Sequence, residues 1–300
     1  MAVRVKEGFV SFRGHRDWYR VVGEYEGRGK RPLLCLHGGP GFTWDSFEPL
    51  EAIAATGRRV VFYDQLGGGN SDDPRDPSLY TVESYVEEVD VIRRALDLDR
   101  VHLLGHSWGG MLAMEYALTQ PAGLASLILA DTTASVPHWE SETRRLLAEL
   151  PQETQEAIRT HEAAGTTDAP EYGEALLAFS RRHLSRRMEP RPDCLARIDD
   201  KLGDEVYETM WGPSEWNVTG TLKGWDVTDR LGEIHVPTLV LGGRYDEATP
   251  AITEALHRGI RSSEWVIFEN SGHFPHLEET GRYLSVLSDF LERVDALDQA

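Results

Sequence analysis

The hexapeptide Gly105-His106-Ser107-Trp108-Gly109-Gly110 follows the apolar run 101–104 and precedes a helical apolar pattern. A serine set between a buried strand and a helix, with small residues on both sides, has the form of a nucleophile elbow. There a sharp, strained turn lifts the hydroxyl clear while the glycines let strand and helix pass closely. The helix start adds positive potential beside the hydroxyl. A serine becomes nucleophilic at neutral pH only with a base, and the base needs an orienting acid. With this elbow the expected chain order is serine, acid, histidine.

His273, in Ser271-Gly272-His273-Phe274 after the run 265–268, is the expected base. His276 competes with it but stands where the last helix begins. The expected acid is Asp246, in Gly242-Gly243-Arg244-Tyr245-Asp246-Glu247 after the run 238–241. Asp131, after the run 124–130, is the alternative, and its plainer role is to close a strand or cap a turn. A tetrahedral intermediate also needs preorganised donors. The backbone N–H of Trp108 supplies one. The loop His37-Gly38-Gly39-Pro40-Gly41 supplies the second, from Gly39, with Gly38 as the alternative.

These residues need a scaffold that brings distant loops to one edge. Short apolar runs at 32–36, 59–63, 101–104, 124–130, 238–241 and 265–268 read as buried strands. Helical patterns at 81–96, 111–119 and 283–291 alternate with them, which predicts an α/β fold: a mostly parallel sheet with helices on both faces. The alternation stops between 131 and 236. There the spacing predicts helices at 141–150, 153–163, 172–183 and 194–211. The division expected is a core of residues 1–134 and 233–300, with a helical cap at 135–232 inserted between its halves. Ligands of such sheets bind beyond the carboxyl ends of the strands, where all the residues above fall.

Composition narrows the class. Hydrophobic residues at 40% and charged residues at 27% are those of a globular protein. A net charge of −19 disfavours nucleic acid and anionic membranes as partners. No apolar run is long enough to span a bilayer, and Met1 to Arg20 shows no signal peptide. Two isolated cysteines, Cys35 and Cys194, make neither a disulfide framework nor a zinc site, so a cytoplasmic location is expected. No metal or other cofactor is expected, because His273-x-x-His276 lacks a third ligand. Gly67-Gly68-Gly69-Asn70 lacks the Lys-Ser/Thr of a phosphate loop and reads as a tight surface turn. Arg181-Arg182-His183 with Arg186-Arg187 reads as a solvated helix face. The sequon at Asn217 reads as chance.

Taken together, His37-Gly38-Gly39-Pro40-Gly41, Asp64-Gln65 with its Gly-rich turn ending at Ser71, and the Ser107 elbow resemble the proline iminopeptidase family of α/β-hydrolases. The resemblance covers nearly the whole chain. In the stretches 211–216, 219–221 and 225–226, and in Tyr245-Asp246-Glu247, it looks closer to the tricorn-interacting aminopeptidase branch.

The resemblance implies a prolyl aminopeptidase that releases N-terminal proline and other, apolar residues from short peptides. It implies that Glu215 and Glu247 bind the free α-amino group, with Tyr207 beside them. It also implies an aromatic pocket, for which Phe42, Trp108, Trp139, Trp211 and Trp216 are candidates. Leu66 stands where typical members carry an arginine, which weakens the expectation of strict proline specificity. The competing expectations are an amidase or esterase acting on amino-acid amides or other small acyl derivatives with the same triad, and a non-catalytic binding protein. An epoxide hydrolase or dehalogenase would need an aspartate at the elbow.

Overall fold

The computed structural model describes residues 4–23, 30–186, 188 and 190–297. Eight strands form one sheet in the order β1-β2-β4-β3-β5-β6-β7-β8. They are β1 (Val5–Phe12), β2 (His15–Val22), β3 (Leu33–Leu36), β4 (Val60–Tyr63), β5 (Val101–His106), β6 (Leu124–Ala130), β7 (Thr238–Gly243) and β8 (Ser263–Phe268). Pairing from β4 through β8 is parallel. The β1–β2 hairpin joins antiparallel through β2 and β4.

Strands β3, β4, β5 and β7 are buried throughout because helices cover both faces. On one face pack α1 (Val82–Ala95), α2 (Trp108–Leu118) and α8 (Pro250–Gly259), around Leu103, Leu127, Leu129 and Val240. On the other pack a 3-10 segment (Trp44–Thr56) and α10 (Thr280–Leu297), around Leu104, Ile128, Leu239 and Leu241. Thr81 caps α1 by accepting the Ser84 N–H.

Between β6 and β7 the chain forms α3 (Val136–Leu147), α4 (Gln152–Ala164), α5 (Pro170–His183), α6 (Asp193–Asp199) and α7 (Asp204–Met210). These helices hold a small core of their own: Leu146, Leu150, Ile158, Tyr172, Ala175, Phe179 and Trp216. A short α9 (Pro275–Glu278) precedes α10.

Four expectations are corrected. The hairpin β1–β2 is a pair of strands absent from the sequence reading. Its outer strand is largely exposed and mixes apolar with polar residues, so no buried run announces it. Helix α8 went unpredicted too. The single helix expected at 194–211 is two, α6 and α7, separated around Gly203. There a Cβ would come within 2.2 Å of Gly67 O, and Gly203 N–H donates to Gly41 O at 2.8 Å. That contact also makes Gly67 and Gly68 buried, where a surface turn was expected. Cys35 and Cys194 are both free and buried.

Among the described residues no helix is long and apolar enough to cross a membrane. No group of three or more His, Cys, Asp or Glu residues is arranged there to hold a metal ion.

Candidate active site

Ser107 sits between β5 and α2 with φ 55° and ψ −124°, a backbone conformation that costs energy for a side-chain-bearing residue. Its neighbours make the turn feasible. A Cβ on Gly105 would lie 2.1 Å from Gly109 O, and one on Gly109 would lie 2.1 Å from Leu36 O. The Ser107 N–H donates to Ala130 O at 3.0 Å, and Thr132 Oγ1 donates to Ser107 O at 2.7 Å.

Asp246 and His273 stand on neighbouring loops after β7 and β8. His273 Nδ1 donates to Asp246 Oδ1 at 2.7 Å, and Asp246 Oδ1 also accepts Ala248 N–H at 3.0 Å. The loops meet backbone to backbone, since a Cβ on Gly243 would be 2.0 Å from Gly272 O. The end of α5 braces them both: His273 N–H donates to Leu184 O at 2.9 Å, and His183 Nδ1 donates to Tyr245 O at 2.9 Å.

The basic cluster is therefore not a uniformly solvated face. His183 is buried, and the Arg186 guanidinium lies 3.7 Å from the Tyr245 ring centre. Arg187 lies outside the described residues.

Burial acts to lower the His273 pKa, but the Asp246 charge and hydrogen bond, with Glu215 and Glu278 behind them, leave it raised above its ordinary value. Among the described residues no hydrogen bond joins Ser107 Oγ to His273, a looseness common in unliganded sites.

His276 is fully buried in α9 against Phe47, His106 and Tyr283. Burial and then His273 hold its pKa down at about 3, so it is a neutral packing group. Asp131 is buried at the end of β6 and accepts Gly243 N–H at 3.1 Å. Its ion-pair contact among the described residues is His106, at 3.9 Å.

The loop after β3 closes over the elbow. Gly39 has φ 111°, and a Cβ there would strike Phe42 N at 2.7 Å. A Cβ on Gly38 would sit 3.1 Å from Ser107 Cβ. Among the described bonds, the N–H groups of Gly39 and Trp108 donate to no protein acceptor.

Asp64-Gln65, which carried part of the resemblance but no role in the sequence reading, organises this loop. Gln65 N–H donates to His37 Nε2 at 2.9 Å, and His37 Nδ1 donates to Gly38 O at 2.9 Å. That fixes a neutral imidazole, and burial lowers its pKa to about 4. Gln65 Nε2 donates to His37 O at 3.1 Å, and the Trp108 indole donates to Gln65 Oε1 at 2.8 Å, so one side chain links the two loops. Asp64 accepts N–H groups from Trp44 and Asn70, each at 2.8 Å.

The two glutamates come to the same place. Glu247 Oε1 is 3.9 Å from His273 Nε2, and Glu247 Oε2, fully buried, has no hydrogen-bond partner among the described residues. Burial, then the charges of Glu215 and Asp246, push the Glu247 carboxyl well above its usual range. Glu215 Oε1 accepts the Tyr207 hydroxyl at 2.8 Å, and the Trp139 indole donates to Glu215 O at 2.7 Å. Burial raises the Glu215 pKa against the opposing pull of Tyr207 and His273.

The aromatic candidates divide. Phe42 stacks on Tyr207 with ring centres 6.2 Å apart. Trp139 meets Trp211 edge-on at 5.7 Å and His273 at 6.2 Å. Trp108 instead buries its indole against Tyr85, below the elbow, so only its backbone faces the site. Trp216 packs with Tyr172 and Phe179 in the core of the helical insert, its N–H on Glu162. For these two the pocket role is corrected: sequence spacing does not say which way a large side chain turns.

A family model described as the alpha/beta hydrolase fold matches residues 31–280. The chain is 41% identical over 295 residues to a proline iminopeptidase of Clostridium botulinum, covering 98% of this chain and 100% of that one. The crystal structure of VinJ superposes with a TM-score of 0.92 at 42% identity, over 96% of this chain and 99% of that one. The crystal structure of a proline iminopeptidase from Mycobacterium smegmatis gives 0.89 at 38% identity, over 98% and 100%.

Proposed function

This chain belongs to the proline iminopeptidase family of α/β-hydrolases and is a serine aminopeptidase of that type, and we propose the following assignment of its residues to the reaction. Ser107 is the nucleophile, His273 the base and Asp246 the acid that holds His273 in the tautomer with its proton on Nδ1. A short peptide, or an amino-acid amide, enters between the strand ends and the insert, which at residues 135–232 acts as a cap on a core of 1–134 and 233–300. Its α-ammonium lies between Glu215 and Glu247, with Tyr207 fixing Glu215. Phe42, Trp139 and Trp211 flank the first side chain, which is proline or another apolar residue.

Ser107 Oγ attacks the first carbonyl carbon and passes its proton to His273 Nε2. The oxyanion takes hydrogen bonds from the N–H groups of Gly39 and Trp108. His273 then gives the proton to the leaving amine as the C–N bond breaks, leaving an ester on Ser107. Water, deprotonated by the same nitrogen, hydrolyses that ester and frees the amino acid. The reading requires no cofactor. We place the protein in the cytoplasm on its two unpaired cysteines, and the cap stretches favour the tricorn-interacting branch.

The observation that carries this reading is the Glu247 carboxyl oxygen beside His273, which has no partner among the described residues. A buried carboxyl with a free oxygen calls for a cationic or hydrogen-donating ligand, and an N-terminal ammonium is both.

The test compares turnover of a dipeptide, an amino-acid amide and a simple acetyl ester in the native enzyme and in Ser107→Ala. Peptides and amides with a free amine should be the better substrates. Ser107→Ala should lose on the order of 10⁶-fold in kcat. A preference for the acetyl ester would make the protein an esterase. Undiminished turnover by Ser107→Ala would remove Ser107 from the mechanism.

A further inference from the structure

Asp131 is a buried acid that the mechanism above leaves unused. It follows β6 with φ 52°, and its N–H donates to Leu241 O at 2.9 Å. Its Oδ1 accepts Gly243 N–H at 3.1 Å, which ties the end of β6 to the root of the acid loop. Its side chain is also in hydrogen-bonding contact with that of Asp246. Among the described residues the Oδ2 atoms of both are buried and receive no hydrogen bond from a donor.

Among the described residues the surroundings supply no fixed cation. His106 Nε2, on β5, is 3.9 Å from Asp131 Oδ2, but that nitrogen donates to His273 O at 2.8 Å, and burial followed by the neighbouring histidines keeps the ring neutral. Glu278 of α9 adds negative potential. Tyr283 of α10 brings a buried hydroxyl. Among the described residues no lysine or arginine makes an ion pair with Asp131. Two touching carboxylates in such a place cannot both be ionised.

We infer that Asp131 is a neutral carboxylic acid whose O–H donates to Asp246 Oδ2, making it a positioning residue for the catalytic acid. The inference rests on the triad assigned above. The proton lies on Asp131 because Asp246 already accepts two hydrogen bonds, from His273 Nδ1 and Ala248 N–H, whereas among the described residues Asp131 accepts one, from Gly243. Burial and the Asp246 charge press in the same direction on Asp131. The pair then carries one negative charge. Asp246 is held at both oxygens, and the His273 imidazolium faces one carboxylate rather than two, which keeps its pKa within reach of working pH.

The isosteric Asp131→Asn separates a donated proton from a charge, because its amide N–H reproduces the O–H. Asp131→Ala, with Asp246 Oδ2 left unpartnered, should lose roughly tenfold or more in kcat with little change in KM. Asp131→Asn should recover most of that loss and keep the acid limb of the kcat/KM profile where the native enzyme has it. A downward move of the limb by about one pH unit or more in Asp131→Asn would mean that Asp131 is ionised, and the inference falls. Equal losses in the Asn and Ala variants, or no loss in the Ala variant, would also overturn it.

Infrared spectroscopy adds a readout independent of turnover. The spectrum of the native protein minus that of Asp131→Asn, at neutral pH, should contain a protonated-carboxyl band, and its absence contradicts the inference. Asp246→Asn serves as the control for the triad itself: if it keeps full activity, the triad reading fails whatever Asp131 does.

Discussion

Glu247 Oε1 lies 3.9 Å from His273 Nε2, while its chain neighbour Asp246 holds the opposite ring nitrogen, Nδ1, at 2.7 Å. Two consecutive acids thus address one imidazole from its two ends. Asp246 has backbone and imidazole donors to stabilise its charge. Glu247 has burial and like charges against it, which keep its carboxyl protonated until a cation arrives. In the proposed clamp the substrate's ammonium is that cation, which would put recognition of the amine and preparation of the base within one group of contacts.

Glu247→Gln should therefore harm free-amine substrates chiefly through KM. Loss of a charge-assisted contact predicts a fall in kcat/KM of roughly 10- to 100-fold, with kcat changed far less. Steady-state kinetics on a proline naphthylamide measure both. A fall confined to kcat would assign Glu247 to the chemical step instead.

The pH profile has a definite sign. His273 must be neutral to accept the Ser107 proton, and its pKa is raised once the Asp246 charge has overcome burial. Activity should thus fall with decreasing pH through a limb above the ordinary histidine value of about 6.5. Because the Glu215 charge contributes to the raise, Glu215→Gln should move the limb to lower pH. A limb at or below the ordinary value would contradict the geometry.

A second buried acid pair, remote from the triad, should govern stability. Asp17, on β2, is in contact with Glu88 of α1, and Glu88 accepts Leu66 N–H at 2.7 Å. Burial, then the Asp72 charge, raise the Asp17 pKa to about 8. A carboxyl with a raised folded pKa contributes stability that is complete below its unfolded pKa and is lost as pH rises towards the folded value. Native protein should lose melting temperature as pH rises from about 4, the ordinary carboxyl value, to about 8, and Asp17→Asn should flatten that slope. Parallel slopes in the two proteins would show that Asp17 is not protonated in the fold.

Glycines separate strain from space. Gly105→Ala puts a methyl 2.1 Å from Gly109 O and should destroy the elbow, with loss of activity and a fall in stability on the order of 3 kcal/mol or more. Gly173 in α5 has nothing within 4 Å of its would-be Cβ, so Gly173→Ala should stabilise by about 0.5–1 kcal/mol. Thermal melts of the two variants measure both.

Where the sequence was legible, the physical reason is the parallel sheet. Buried strands read as uninterrupted apolar runs, and the residues that follow them, Ser107, Asp246 and His273, fall at one edge by topology. The hairpin β1–β2 was hidden because its outer strand is largely exposed and mixes apolar with polar residues. Gly203 was hidden because a helix break set by a distant backbone contact leaves no local mark. Orientation was hidden too. Trp108 and Trp216 turn into separate cores, and the linking role of Gln65 depends on His37, far away in sequence. The turn at Gly67-Gly68 was misread because its burial comes from α7's approach rather than from its own composition.

The most direct test of the central claim compares hydrolysis of proline, alanine and phenylalanine naphthylamides with that of their N-acetylated forms, in native enzyme and in Glu215→Gln. The account predicts that only the free-amine substrates turn over and that Glu215→Gln loses them. Equal cleavage of the acetylated substrates would contradict the amine clamp and make the protein a general amidase.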